Sequence, residues 1–154
     1  MIILVFSRYY QTMFRFQYIF AILACGFFSQ VLADELDVRN AWIREAPPVA
    51  KSHAAYMELL NNGDKGVDII SIVADDYGKT MLHKTVEKNG MATMEHVDVL
   101  VIPPRDAVKL QPGGLHIMLM NPKRQLKSGD TVKITLMLDG DRYQEIMATV
   151  RTAP

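Results

Sequence analysis

The chain has 154 residues, of which 49% are hydrophobic, 22% charged and 8% aromatic, with 17 basic residues balanced by 17 acidic ones. That length is one domain's worth, and that composition excludes a disordered or membrane-embedded chain. With no net charge and no basic stripe interleaved with aromatics, nucleic acid is excluded as a partner.

The first 33 residues stand apart. They carry Arg8 and Arg15 without an acidic residue, then an apolar run from Tyr18 to Phe28, then a small-residue ending at Ala33. That order predicts a cleaved secretory signal peptide over residues 1–33 and export to the periplasm; an uncleaved membrane anchor is the alternative. Met13 could equally be the true start, because the segment from there has the same three parts. Cys25, the only cysteine, sits in "ILAC", which loosely resembles a lipoprotein acylation site, but the apolar run continues past it through Phe27 and Phe28. Cleavage after Ala33 removes it. The expected mature domain, 34–154, then has 15 basic and 17 acidic residues, a net of about −2, and no thiol. Disulfides cannot support it, so a hydrophobic core must.

Strand-like segments follow in order: Leu36–Arg44, His53–Leu60, Asp68–Ala74, Thr80–Val86, Ala92–Val101, Val108–Leu110, His116–Met120, Thr131–Leu138 and Tyr143–Arg151. They are separated by "NNGDKG", "DDYG", "KNG", "IPPRD", "QPGG", "NPKRQLKSGD" and "DGDR", all rich in turn formers. "DG" in the last predicts a hairpin. No segment keeps helical periodicity over three turns, so the prediction is an all-β antiparallel Greek-key sandwich. In "TVKITLMLDG" one face carries Val132, Ile134, Leu136 and Leu138, the pattern of a half-buried strand with no functional signal. "HIMLM" differs. Ile117 and Leu119 make one apolar face, while His116, Met118 and Met120 occupy the other.

Four residues stand out as metal donors: His83, Met94, His116 and Met118. Ten residues separate the first two, twenty-one the next two, and one the last two. The i,i+2 spacing places His116 and Met118 on one strand face, and the "KNG" turn can fold His83 and Met94 back across a hairpin. Imidazole with thioether is a soft, neutral set that suits Cu(I) and is poor for Zn, Ca or Mg. Thioethers also persist in an oxidising compartment where thiolates pair. Ordinary packing is the competing explanation. Met57, Met137 and Met147 read as core filler and His53 as an ordinary surface or core residue; Met81, Met120 and His96 share strand parity with the four and could flank the site. A blue-copper centre needs a cysteine thiolate that the mature chain lacks. No carboxylate pair, Ser/His/Asp set or phosphate loop points to an enzyme.

The pattern His, ten residues, Met, twenty-one residues, His-x-Met resembles the periplasmic copper chaperone family called PCuAC. So do "AWIREAPPVAKSHAAYMELLNNG", "LQPGGLHIMLM" and "LKSGDTVKITL". The resemblance spans nearly the whole mature chain. It implies a cupredoxin-like sandwich holding one Cu(I) near its surface through His83, Met94, His116 and Met118. It also implies delivery to cytochrome c oxidase assembly, either to the subunit bearing the CuA centre or to a thiol-bearing assembly factor. Monomeric behaviour is expected. Two departures are visible: no His- and Met-rich tail follows "VRTAP", so one site is expected, and Lys84 follows the first histidine where some members have Met. A metal-free periplasmic interaction module on the same sandwich is the alternative function.

Overall fold

The computed structural model describes residues 36–153. The signal segment, Cys25 and the cleavage point after Ala33 lie outside the described residues. Ten strands and no helix form among the described residues. They are β1 (Leu36–Arg44), β2 (Ser52–Asn61), β3 (Val67–Ala74), β4 (Tyr77–Lys88), β5 (Met91–His96), β6 (Leu100–Ile102), β7 (Ala107–Leu110), β8 (Leu115–Pro122), β9 (Thr131–Leu138) and β10 (Tyr143–Arg151).

The strands hydrogen-bond in the order β5-β4-β8-β7-β2-β1-β10-β9-β3-β6, with β8 also pairing β2. The ladder is folded on itself. Inward side chains from β4, β8, β2 and β1 meet those from β10, β9, β3 and β6 in one core, including Leu82, Ile117, Leu119, Met57, Ile43, Val150, Ile134, Val67 and Ile102. The result is the sandwich that strand alternation predicts, with one difference. The sheet is mixed, because β1 runs parallel to β10 and β7 touches β8 in parallel.

A bulge in β1 explains how two incompatible positions both reach the core. Arg39 pairs Glu58 and Trp42 pairs Tyr56, so β1 has one extra residue there, with Asn40 at φ 53°. The extra residue reverses the alternation. Leu36 and Ile43, seven apart, are both buried, while Trp42 turns to the other face and packs on Tyr56 at 4.8 Å between ring centroids. Arg151 lies over the Trp42 ring at 4.5 Å.

The single strand expected over Ala92–Val101 is two. β5 pairs with β4, whereas β6 pairs with β3 at the far end of the strand order. Residues 97–99 carry the chain from one to the other, and the Val97 N–H, donating to the Leu82 carbonyl, adds the last rung on the β4 side. A continuous run of strand-forming residues conceals such a crossing, since it marks extended chain but not which sheet supplies the partner. The hairpin expected at "DGDR" forms between β9 and β10, with Gly140 and Asp141 both at positive φ.

Candidate functional site

Three neighbouring strands, β5, β4 and β8, position all four candidate donors. The β4–β8 register sets His83 opposite His116 and Met81 opposite Met118. The β4–β5 register sets His96 opposite His83 and Met94 opposite Thr85. Residues directly opposite in antiparallel strands share a face, and so do residues two apart along one strand. His83, Met94, His116 and Met118 therefore all project from the outward face, together with Met81, His96 and Met120. The inward face of the same strands is Leu82, Ile117 and Leu119, all buried. Strand β8 thus has two jobs on its two sides.

The hairpin differs from the expectation in one respect: His83 faces His96 across it, not Met94. Its loop is only Asn89 and Gly90, at φ 54° and 75°, the geometry of a type I′ turn, and Lys88 pairs directly with Met91. A two-residue loop fixes every later pair, so His83 must meet His96. "KNG" followed by an apolar residue carried that register, had the loop been counted as two residues.

Met94, His116 and Met118 line a common cavity of about 440 Å³, with Thr85, Gly113, Tyr56 and Arg44 among its other walls. Sequence reasoning missed these wall residues, which arrive from β1, β2, β4 and the "QPGG" turn. Its one carboxylate, Glu45, accepts a hydrogen bond from the Ser128 backbone at 3.2 Å. The cavity grades from inside to outside: His116 is 6% exposed and Met94 58%.

His116 is held in a defined tautomer. Its Nδ1 lies 3.1 Å from the Gly114 carbonyl, to which it donates, leaving the Nε2 lone pair free. The same carbonyl accepts the Thr85 N–H, tying the histidine's support to β4. Gly113, at φ 77°, makes the turn that aims this carbonyl back. His83 lies next to it, its ring centroid 6.0 Å from that of His116 and edge-on at 87°. Its Nδ1 is buried with no hydrogen-bond partner. A buried imidazole nitrogen left without a partner costs stability unless something else uses its lone pair. Burial, then the neighbouring His116 and His96 and the Lys79 charge, push the His83 pKa below the ordinary histidine value, so the ring is neutral and available as a donor at neutral pH.

The remaining candidates separate cleanly. His53 has the parity of Ala55 and is satisfied by a 2.8 Å hydrogen bond between its Nδ1 and the Tyr77 hydroxyl, as befits an ordinary histidine. His96 is half exposed and lies 3.3 Å from Asp98. Among the described residues no three or more His, Cys, Asp or Glu gather as a metal site. Beside its histidines, this face offers methionine sulfur as its other soft donor.

Fold and face together define a class: a small cupredoxin-like β-sandwich that displays histidine and methionine on one sheet surface. The family described as "Putative lipoprotein LpqE-like" matches residues 36–150, and the chain belongs to it. The chain is 33% identical over 120 residues to "Putative lipoprotein Lxx21020" of Leifsonia xyli subsp. xyli, covering 77% of this chain and 71% of that one. The solution structure of CuI-DR1885 from Deinococcus radiodurans is 36% identical, with a TM-score of 0.65 over 80% of this chain and 83% of that one. The copper-bound PCuAC domain from PmoF2 shares the fold at 20% identity, with a TM-score of 0.66 over 78% and 95% of the two chains. The last of these is a domain of PCuAC, the family that the sequence motifs resemble.

Proposed function

We propose that the chain is an extracytoplasmic copper(I) carrier that holds one Cu(I) between His83, Met94, His116 and Met118 and passes it to an acceptor protein. The observation that carries this reading is the pairing of His83 with His116 across β4 and β8, with Met118 and Met94 beside them on one outward face. Two imidazoles and two thioethers form a neutral, soft set matched to a monovalent soft ion. The unpartnered Nδ1 of His83 and the free Nε2 of His116 supply lone pairs in a place where no proton donor competes for them. The relative from Deinococcus radiodurans, whose solution structure is that of CuI-DR1885, supports the choice of metal.

The role is carriage, not catalysis. The donors are uncharged, and the only lining carboxylate is committed to the backbone of Ser128. Such donors give way to thiolate, a softer and charged ligand. A thiol-bearing acceptor, such as the oxidase subunit that holds CuA or an assembly factor for it, would therefore draw the ion off by ligand exchange. The carrier acts in the periplasm as a monomer.

Titration of the exported protein with Cu(I) against a chromogenic chelator tests the reading. The expected result is one equivalent, with nitrogen and sulfur neighbours by X-ray absorption. Undiminished binding in a His116→Ala, Met118→Ala double variant would refute it.

A further inference from the structure

His83 stands between two imidazoles. Its ring centroid is 6.0 Å from that of His116 on the inner strand β8 and 5.7 Å from that of His96 on the edge strand β5, edge-on at 87° to each. Metal–nitrogen bonds of about 2 Å, with about 1.1 Å more from each nitrogen to its ring centre, let two imidazoles on one ion hold their centroids up to roughly 6.3 Å apart. Both observed separations fall within that span. The centroid separations therefore permit His83 to share an ion with either neighbour once the rings turn their nitrogens toward it.

The three rings also form a gradient of exposure. His116 is 6% exposed, His83 is half-buried, and the His96 side chain is 50% exposed. His116 lines the cavity with Met94 and Met118. His96 lines a second cavity, of about 360 Å³, with Met81 and Asp98. His96 also has the support usual for a histidine ligand: its Nε2 lies 3.3 Å from Asp98 Oδ1, which orients the ring and leaves Nδ1 as the donor. Asp98 is itself almost fully exposed, so this support is loose and the ring can turn.

We propose that His96 is the hand-over ligand: copper leaves the inner donors by pivoting on His83 from His116 to His96, at the exposed rim where an acceptor can reach it. The proposal rests on the copper-carrier reading. The bonds to His116 and Met118 break as bonds to His96 and to a donor atom of the acceptor form, the bond to His83 is kept, and the ion stays Cu(I) throughout. The resting ion keeps its four donors, so His96 governs the rate of transfer and not the affinity.

The experiment uses exported protein loaded with one equivalent of Cu(I) and mixed with excess chromogenic chelator in a stopped-flow cell. Affinity is measured separately by equilibrium competition. His96→Ala is expected to bind Cu(I) within about threefold of the unaltered protein but to release it at least tenfold more slowly. Asp98→Asn is expected to slow release by a smaller factor. His96 is exposed, and an unchanged thermal unfolding midpoint of the metal-free variant checks that the fold is kept. Release by His96→Ala at the original rate would overturn the proposal, as would a hundredfold loss of affinity, which would make His96 a resident ligand. If the unaltered protein takes up no Cu(I), the carrier reading fails and this inference with it. Normal uptake with unchanged release sinks the inference alone.

Discussion

Adjacent residues on β8 should respond in opposite ways to truncation. Leu119 is fully buried in the core between the layers, while Met118 faces outward into the donor cavity and is only partly buried. Leu119→Ala deletes a buried side chain and leaves a cavity, which costs about 2–5 kcal/mol. For a domain of this size, with about 3–5 °C of midpoint per kcal/mol, a mid-range loss lowers the unfolding temperature by roughly 10–15 °C. Copper affinity of the folded fraction should be unchanged. Met118→Ala removes a side chain whose far end is not enclosed, and should cost about 1 kcal/mol. It removes a proposed sulfur ligand, however, and should weaken Cu(I) binding by roughly 10–100-fold, at least as much as losing a group that only orients a ligand. Thermal unfolding by circular dichroism and Cu(I) competition on the same two samples measure both quantities. If Met118→Ala destabilises as much as Leu119→Ala and binds copper normally, the methionine is packing and the two-sided assignment of β8 is wrong.

Gly90→Ala tests the hairpin that sets the site's register. A Cβ there meets nothing within 4 Å, so its cost is that of holding alanine at φ 75°, about 1–2 kcal/mol by thermal unfolding. Because Met94 lies on the strand this turn returns, Cu(I) affinity should also fall several-fold in the same competition assay. The metal-free protein should lose stability as pH is lowered from about 7 to 5. Burial depresses the His53 pKa below the ordinary 6.5, so the unfolded chain takes the proton first and acid favours unfolding; above that value the ring is neutral in both states and the effect is absent. Unfolding midpoints measured across this range for the original protein and His53→Gln should show a shallower slope in the variant. The mass of the exported protein should correspond to a chain beginning at Asp34. A lipid-bearing chain beginning at Cys25 would refute cleavage after Ala33.

Much of the fold was legible because its signal is local. Alternation in "TVKITLML" and "HIMLM" gives the inward side directly, and the structure buries Ile134, Leu136, Ile117 and Leu119 as that alternation demands. The turn sequences fall at junctions between strands, and "QPGG" joins the parallel β7 and β8. What stayed hidden was long-range. Nothing near Ala92–Val101 announces that its first half pairs with β4 and its last part with β3, since both are extended chain of strand-forming residues. The parallel contact of β1 with β10 joins residues about a hundred positions apart and leaves no local trace. At the site, the i,i+2 pair on β8 was readable, but the opposition of His83 to His116 depends on how β4 and β8 slide past each other, which only tertiary packing fixes. The meeting of His83 with His96 was within reach, because the turn between them has just two residues.

The proposed donors are divided between strands of unequal rigidity, and that division suits a carrier. His116 and Met118 lie on β8, an inner strand whose other side, Ile117 and Leu119, is locked into the core. Displacing either donor would disturb close packing, so these two supply the fixed half of the site. Met94 lies on β5, the edge strand, where all six residues are exposed and only β4 holds the backbone. An edge hairpin with few buried contacts opens at far lower cost than the core does. Release by the proposed route needs the ion to pass from the fixed donors on β8 to donors on the compliant strand, where a change of position disturbs least. Met94 and His96, two residues apart on that strand, would hold the ion with His83 while an arriving thiolate takes the place of the β8 donors. Copper would thus be bound tightly by the part of the sheet that cannot move and released through the part that can.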